Sequence, residues 1–274
     1  MNDKQAIHYP QDEMHTLLIP VTRGCPYNQC AFCSMYKAEE SSEVPFLEIE
    51  MQLKHADLYT ERVFLTGADP LSIGFSKLME LLALIQRYLP YCACVAAYAS
   101  IRNISLYTKD ELSLLHEEGL RLLYIGFESG SNPVLTLMDK GHTVADAISQ
   151  ARKLNAANLS FDAIIIYGLA GENKGKENAI ATAAMLNQFH ARRLITMNLT
   201  IFQGTKLSKM TRSGDFIPAN KNEKLLEIKT LLEELEPETP MIFDTTHPTN
   251  ILRIKGTLPV EQERLVSEVL NRMA

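Results

Sequence analysis

Apolar positions along the chain fall into two alternating rhythms. Short apolar runs of strand length occur at Leu17 to Val21, Arg62 to Thr66, Cys92 to Tyr98, Arg121 to Phe127, Ser160 to Tyr167 and Leu194 to Ile201. Between them the spacing is helical, over Leu47 to Tyr59, Phe75 to Tyr88, Lys109 to Glu118, Val144 to Ala157 and Asn178 to Phe189. Strand followed by helix, repeated along most of the chain, predicts a parallel sheet with crossover helices. Six strands in this order predict an α/β protein built as a partial (β/α)6, TIM-like barrel over residues 1–202. Past Ile201 the rhythm changes: a loop at Gln203-Gly204-Thr205, an acidic amphipathic helix over Asn222 to Leu235, an extended stretch over Met241 to Ile254, and a last helix over Val260 to Met273. Residues 203–274 are therefore expected to form a short C-terminal extension capping the barrel.

Composition narrows the class without naming a chemistry. Of 274 residues, 46% are hydrophobic and 22% charged, which suits a globular protein and excludes collagen, coiled coil and disorder. No run approaches the ~20 consecutive apolar residues of a membrane helix. Met1 to Asp12 is polar and lacks the apolar core of a secretory leader, so a cytoplasmic protein is expected. A formal net charge of −6 disfavours nucleic acid as a partner.

Five cysteines, an odd number, point to metal or redox chemistry in a reducing compartment rather than to disulfides. Cys92 and Cys94 stand one residue apart in an apolar segment; alternation along a strand would turn both to one face, and they are read as core. Cys25, Cys30 and Cys33 lie within nine residues, on a loop following the first apolar run. In a barrel that loop is on the catalytic face. Structural zinc would need four ligands and a second knuckle. A two-iron site with this spacing needs a fourth cysteine, for which Cys92 is the nearest candidate. A four-iron cluster with one open iron needs only three thiolates, and metal-free packing is the remaining alternative.

Three other loops on the same rim pair glycine with an acidic side chain: Thr66-Gly67-Ala68-Asp69-Pro70, Phe127-Glu128-Ser129-Gly130-Ser131 and Gly168-Leu169-Ala170-Gly171-Glu172. One such loop is an ordinary turn. Three on one rim suggest a polar cofactor, with glycine allowing close backbone approach and the acid holding an ammonium or hydroxyls.

These segments resemble the radical S-adenosylmethionine superfamily from about Leu17 to Ile201. The cysteine loop ends Cys30-Ala31-Phe32-Cys33, with the aromatic usual before the third ligand, although one residue is inserted relative to the common C-x3-C-x2-C spacing. Thr66 to Pro70 is similar to the family's Gly-Gly-Glu-Pro segment, with Asp69 in place of Glu. Tyr124 to Ser131 and Met138-Asp139-Lys140-Gly141-His142-Thr143 resemble the subgroup of oxygen-independent coproporphyrinogen oxidases, tRNA methylthiotransferases and the Elongator catalytic subunit. Ile165 to Glu172 resembles the fifth-strand motif that cradles adenine, and Asp162 stands two positions before the acid some members carry there.

The resemblance implies a [4Fe–4S] cluster on Cys25, Cys30 and Cys33. It also implies S-adenosylmethionine held by Phe32, Thr66, Gly67, Ala68, Asp69, Glu128, Ser129, Asp162 and Gly168. Asp69 would take the amino group, and Glu128 would lie near the ribose. Arg102, beyond the third strand, is a candidate for the cofactor carboxylate through its planar fork, with a surface helix cap as the competing reading. The activity implied is reductive cleavage to a 5′-deoxyadenosyl radical that takes hydrogen from a small-molecule substrate, with flavodoxin or ferredoxin as electron donor. An alternative is a cluster-bearing carrier or sensor that binds S-adenosylmethionine or haem without turnover. The Asp244-to-Asn250 stretch, with Arg253 and Lys255, is a candidate contact for an anionic substrate or an ordinary turn, and His142 is read as capping the next helix.

Overall fold

The computed structural model describes residues 8–273; the polar residues 1–7 lie outside the described residues. The chain divides into two compact units, one comprising the chain up to Asn28 with Met35–Tyr124 and Ala156–Leu159, the other Gln29–Ser34, Ile125–Asn155 and everything from Ser160.

In the first unit, β1 (Leu17–Pro20), β2 (Arg62–Thr66), β3 (Cys94–Ala99) and the first part of β4 (Leu120–Glu128) are hydrogen-bonded neighbours in that order. β1 pairs with β2 in parallel from Leu17 opposite Val63 to Pro20 opposite Thr66, and β2 with β3 from Arg62 opposite Cys94. Helices α1 (Phe46–Lys54), α2 (Phe75–Tyr88), α3 (Ile101–Ile104) and α4 (Lys109–Glu117) make the crossovers. Parallel strands are covered on both faces and so read as continuous apolar runs; Val63, Phe64, Leu65, Val95, Ala96 and Ala97 are all fully buried. One charge lies among them. Glu13, preceding β1, is buried, and its carboxylate accepts from Arg62 Nε at 2.9 Å and from the Tyr124 hydroxyl at 2.7 Å.

In the second unit the rest of β4 is followed by β5 (Ser160–Tyr167), β6 (Arg193–Asn198), β7 (Met241–Asp244) and β8 (Lys255–Leu258). β5 and β6 are parallel from Asp162 opposite Arg193 to Tyr167 opposite Asn198, β6 and β7 are parallel, and β8 turns back antiparallel on β7. The helices are α5 (Asn132–Leu137), α6 (Val144–Ala156), α7 (Gly175–Leu186), α8 (Lys206–Ser213), α9 (Lys221–Glu234) and α10 (Gln262–Met273).

The α/β alternation expected from the pattern is present, with several differences. Residues past 202 contribute two further strands. The stretch from Met241 to Ile254 is not continuously extended: a loop separates β7 from β8, and Asn250 staples it down, its Oδ1 accepting from the Tyr167 hydroxyl and Asn198 N while its Nδ2 donates to Thr196 O and Thr245 O. α8 stands directly after Thr205, where the sequence predicts only a loop, because its residues are mostly polar; Thr205 caps it and Gly214, at φ 84, ends it. α1 stops at Lys54, where Asp57 Oδ1 accepts from Tyr59 N in an Asx turn. Cys92 and Cys94 do not share a strand face. Cys92 is buried in the turn before β3, whereas Cys94 begins the strand, half-buried, with Arg62 Nη1 2.9 Å from its sulfur.

His142 does not cap α6. Thr143 does so, its hydroxyl accepting from Asp146 N. His142 is instead desolvated, and burial, aided by the neighbouring Lys140 charge, pushes its pKa down to about 3, so it is neutral at ordinary pH.

Candidate active site

The loop after β1 begins in the first unit. Gly24, at φ 64, donates its N–H to Glu39 at 3.0 Å, and an added Cβ would stand 2.7 Å from Glu40 O. Asn28 N donates to Cys25 Sγ at 3.3 Å, and Asn28 Nδ2 to Tyr36 O at 3.0 Å, which fixes the turn around the first thiol. Cys30 and Cys33 lie in the second unit. There Ala31 N donates to Met138 O at 2.8 Å and Ala31 O accepts from Leu207 N at 2.9 Å, while Phe32 packs against the buried apolar cluster that includes Ala31, Val134, Met138 and Leu169. All three cysteines are half-buried.

The loop after β2 is closely determined. Gly67 has φ 124, and a Cβ there would come 2.1 Å from Thr22 Oγ1 and 2.7 Å from Thr22 O, so only glycine fits. Thr66 is buried and its carbonyl accepts from Val21 N, and Ala68 is half-buried. Asp69 follows, buried, with Oδ2 accepting from Ser100 N at 3.0 Å and Asn103 Nδ2 at 2.7 Å. Its Oδ1 is buried without a partner. Burial pushes the carboxyl up to about 6, against the opposing pull of the Ser100 and Asn103 hydrogen bonds.

The loop after β4 is strained. Glu128 adopts φ 64, a left-handed conformation rare for a non-glycine residue, and this folds its side chain back over Gly126, where a Cβ would fall 2.3 Å from Glu128 Oε1. Glu128 Oε1 accepts from Lys140 Nζ at 2.8 Å, and Oε2 is buried without a partner. Burial works against the Lys140 charge, but Glu128, Cys30 and Cys33 together hold its pKa above the usual lysine value. Ser129 is fully buried, its hydroxyl donating to Asn178 Oδ1 at 2.5 Å. After β5, Gly168, at φ 83, donates its N–H to Glu227 Oε2 at 2.7 Å.

Two sequence candidates stand elsewhere than expected. Asp162 is near the start of β5, at the end of the strand away from Gly168, and it is fully buried and spent on arginines: Arg192 Nε at 2.8 Å, Arg192 Nη2 at 2.6 Å and Arg193 Nε at 2.9 Å. Its acidity serves an internal ion pair, which corrects the expectation of cofactor contact. Arg102 is exposed, with its guanidinium 4.6 Å from the Tyr27 ring centroid in a cation–π contact. It is the next residue, Asn103, that reaches the acid of the second loop.

Three groups escape a reading of the sequence. Lys140 lies within a family-like motif but carries no local signal of its role; Asn103 adjoins a candidate; Glu227 sits in α9 among the buried Leu225, Ile228 and Leu231. A charge on an apolar helix stripe is the available signal for Glu227.

Among the described residues, no group of three or more His, Cys, Asp and Glu side chains is gathered at metal-ligand spacing. Metal bonds themselves supply much of the energy that draws thiolates together. The donor set still suits a soft iron centre: three thiols on a tethered loop, a backbone N–H on the first sulfur, and a buried cation beside the other two. The unpartnered, buried Asp69 Oδ1 suits an ammonium group. No helix among the described residues is long and apolar enough to cross a membrane.

The sequence matches the model of the Radical SAM superfamily over residues 19–183. It is 26% identical over 238 residues to tRNA-2-methylthio-N(6)-dimethylallyladenosine synthase of Chlorobium luteolum, covering 80% of this chain and 50% of that protein. The chain thus spans about half the length of the curated relatives it matches. The fold is similar to that of coproporphyrinogen III oxidase (HemN) from Escherichia coli, at TM-score 0.59 and 16% identity, covering 80% of this chain and 50% of that one. It is likewise similar to Elp3 from Methanocaldococcus infernus, at TM-score 0.59 and 13% identity, covering 94% of this chain and 63% of that one. These likenesses agree with a partial TIM-like barrel.

Proposed function

This chain belongs to the radical SAM superfamily, whose members use a [4Fe–4S] cluster and S-adenosylmethionine, and we propose that it cleaves S-adenosylmethionine reductively to act on a small molecule. The observation that carries the reading is Asp69: a buried carboxyl with one oxygen doubly hydrogen-bonded and the other unpartnered is a receptor for a cation. A cluster held by Cys25, Cys30 and Cys33 would supply the electron for reductive cleavage of S-adenosylmethionine, the chemistry from which hydrogen abstraction at a substrate would follow.

The chain's own residues would hold and shield. Cys25, Cys30 and Cys33 are the proposed cluster ligands, with Lys140 compensating thiolate charge beside Cys30 and Cys33. Asp69 accepts the cofactor ammonium, and Ser100 and Asn103 keep its other oxygen occupied, so the free oxygen stays aimed. Glu128, buried and with Oε2 unpartnered, is the proposed acceptor for ribose hydroxyls, and the Gly168 loop the proposed adenine berth. Phe32 and neighbouring apolar side chains exclude water. A flavodoxin or ferredoxin is the proposed electron donor. The net charge of −6 supports a small molecule over a polyanion as substrate.

Anaerobic reconstitution with iron and sulfide tests the reading. Four irons per chain are expected, with methionine and 5′-deoxyadenosine released when dithionite and S-adenosylmethionine are added. Zinc in place of iron, or tight cofactor binding with no cleavage after reduction, would overturn it.

A further inference from the structure

Behind the loops after β4 and β5 runs a buried polar chain that ends on a residue outside the stretch matched by the family. Glu227 Oε2 accepts from Gly168 N at 2.7 Å, and Glu227 Oε1 accepts from Asn178 Nδ2 at 2.8 Å. Asn178 Oδ1 in turn accepts from the Ser129 hydroxyl at 2.5 Å, and Ser129 Oγ accepts from Ser131 N at 3.0 Å. Glu227, Asn178 and Ser129 are all buried. One carboxylate on α9 thus holds a backbone amide of one loop directly and, through the side chain of α7, sets the hydroxyl that shapes the other.

We infer that Glu227 is a positioning residue, fixing the Gly168 and Glu128–Ser131 loops in the geometry that receives the nucleoside of the cofactor. The inference rests on the reading of those loops as the cofactor side. Its force lies in polarity. When the carboxyl is ionised both of its oxygens accept, so Asn178 must present its amide nitrogen to Glu227 and its oxygen to Ser129, and the Ser129 hydroxyl must then donate to Asn178 and receive Ser131 N. No other orientation satisfies all four groups. Such a network has high stakes, because a buried polar group left mispaired costs more than a satisfied one contributes.

The surroundings agree. Lys224, on the same helix, packs its methylenes against Gly168, where a Cβ would lie 2.8 Å from Lys224 Cε. Glu227 also borders a small cavity with Glu128, Tyr167 and the unpartnered Thr196 Oγ1, so the ionisable groups facing it are Lys224, Glu128 and Tyr167. Burial pushes the Glu227 carboxyl up to about 7, against the hydrogen bonds from Asn178 and Gly168 and the Lys224 charge. The fold therefore retains an acid there at a cost in stability that packing alone would not require.

The test moves the carboxylate one link along the chain. In E227Q the new amide nitrogen meets either Asn178 Nδ2 or Gly168 N, donor against donor, and turning Asn178 over leaves the Ser129 proton without its acceptor. In E227Q/N178D every hydrogen bond is restored: the introduced amide donates to the introduced carboxylate and accepts from Gly168 N, and that carboxylate accepts from Ser129. S-Adenosylmethionine and 5′-deoxyadenosine are titrated into the reconstituted proteins above pH 7, where wild-type Glu227 is ionised, alongside iron content and hydrogen exchange of the peptides containing Gly168 and Ser129. E227Q is expected to weaken both ligands about tenfold, to speed exchange in both loops and to keep its iron, while the double variant returns to within about threefold of wild type. Should E227Q not fold, the double variant decides alone: wild-type binding supports the inference and tenfold weaker binding refutes it. Unchanged binding by E227Q, or exchange confined to one loop, also refutes it. A wild-type protein that binds neither ligand overturns the proposed function instead, and coupled exchange of the two loops still reads the positioning role.

Discussion

Replacing Asp69 by Asn separates the cost of this acid from its use. Both of its hydrogen bonds go to one oxygen, so the amide of D69N can place its oxygen there, keep Ser100 N and Asn103 Nδ2, and turn its nitrogen to where Oδ1 has no partner. The apoprotein keeps both of those bonds and sheds a desolvated charge, giving up only the pull of the Leu71 backbone N–H and the Ser100 side chain on the carboxylate. The folded pKa of about 6 lies above the ordinary 3.8, and at about 1.36 kcal/mol per decade of proton affinity the charge costs the fold about 3 kcal/mol once ionised. Because the folded pKa is raised, the contribution of Asp69 to stability is full below pH 3.8 and is lost as pH rises through about 6. In urea titrations of the apoprotein, D69N should match wild type near pH 3.8, gain on it through that window, and be more stable by up to about 3 kcal/mol above pH 7. Taking the difference between the two proteins cancels the similar pH dependence of Glu227. Binding should move oppositely: an amide nitrogen facing an ammonium forfeits about 2–5 kcal/mol of buried charge pairing, roughly thirtyfold or more in the dissociation constant of S-adenosylmethionine. A D69N protein that binds the cofactor within threefold of wild type, or a stability difference that shrinks as pH rises, would refute the reasoning.

Two further substitutions test the other assignments. Cys30→Ala should abolish iron binding on reconstitution, whereas Cys92→Ala should keep its iron and lose about 1–2 kcal/mol in urea unfolding, as a small buried side chain does; iron loss in the Cys92 variant would return that residue to the ligand set. Asp162→Asn should cost about 1.5–3 kcal/mol, because it removes the buried counter-charge shared by the half-exposed Arg192 and by Arg193, which keeps only Asp244 Oδ2 at 3.3 Å, while cofactor affinity stays within twofold; weakened binding at unchanged stability would reinstate it as a cofactor residue.

The legible parts of the molecule were those in which a local signal and its tertiary use coincide. A covered parallel strand must be apolar along its length, so β2 and β5 stand where the runs Arg62–Thr66 and Ser160–Tyr167 predicted. Gly67 was legible because a conformation at φ 124 admits little else. Asp162 misled because spacing along a strand reports a face but not a partner, and its two arginines come from β6 and the residue before it. α8 was invisible for a different reason: its residues lack an apolar stripe long enough to register, and its caps act only once the chain is folded.

From the amino-acid order alone came the α/β rhythm, the three grouped thiols, the glycine-and-acid loops and the superfamily they resemble, since each is a matter of neighbours within a few residues. Tertiary structure alone decided which acids are free to act. Asp69 and Glu128 keep a buried, unpartnered oxygen, whereas Asp162 is spent on arginines and Glu227 on an amide 59 residues away. A carboxyl acquires its role from the donors that fold around it, and those donors are distant in the chain.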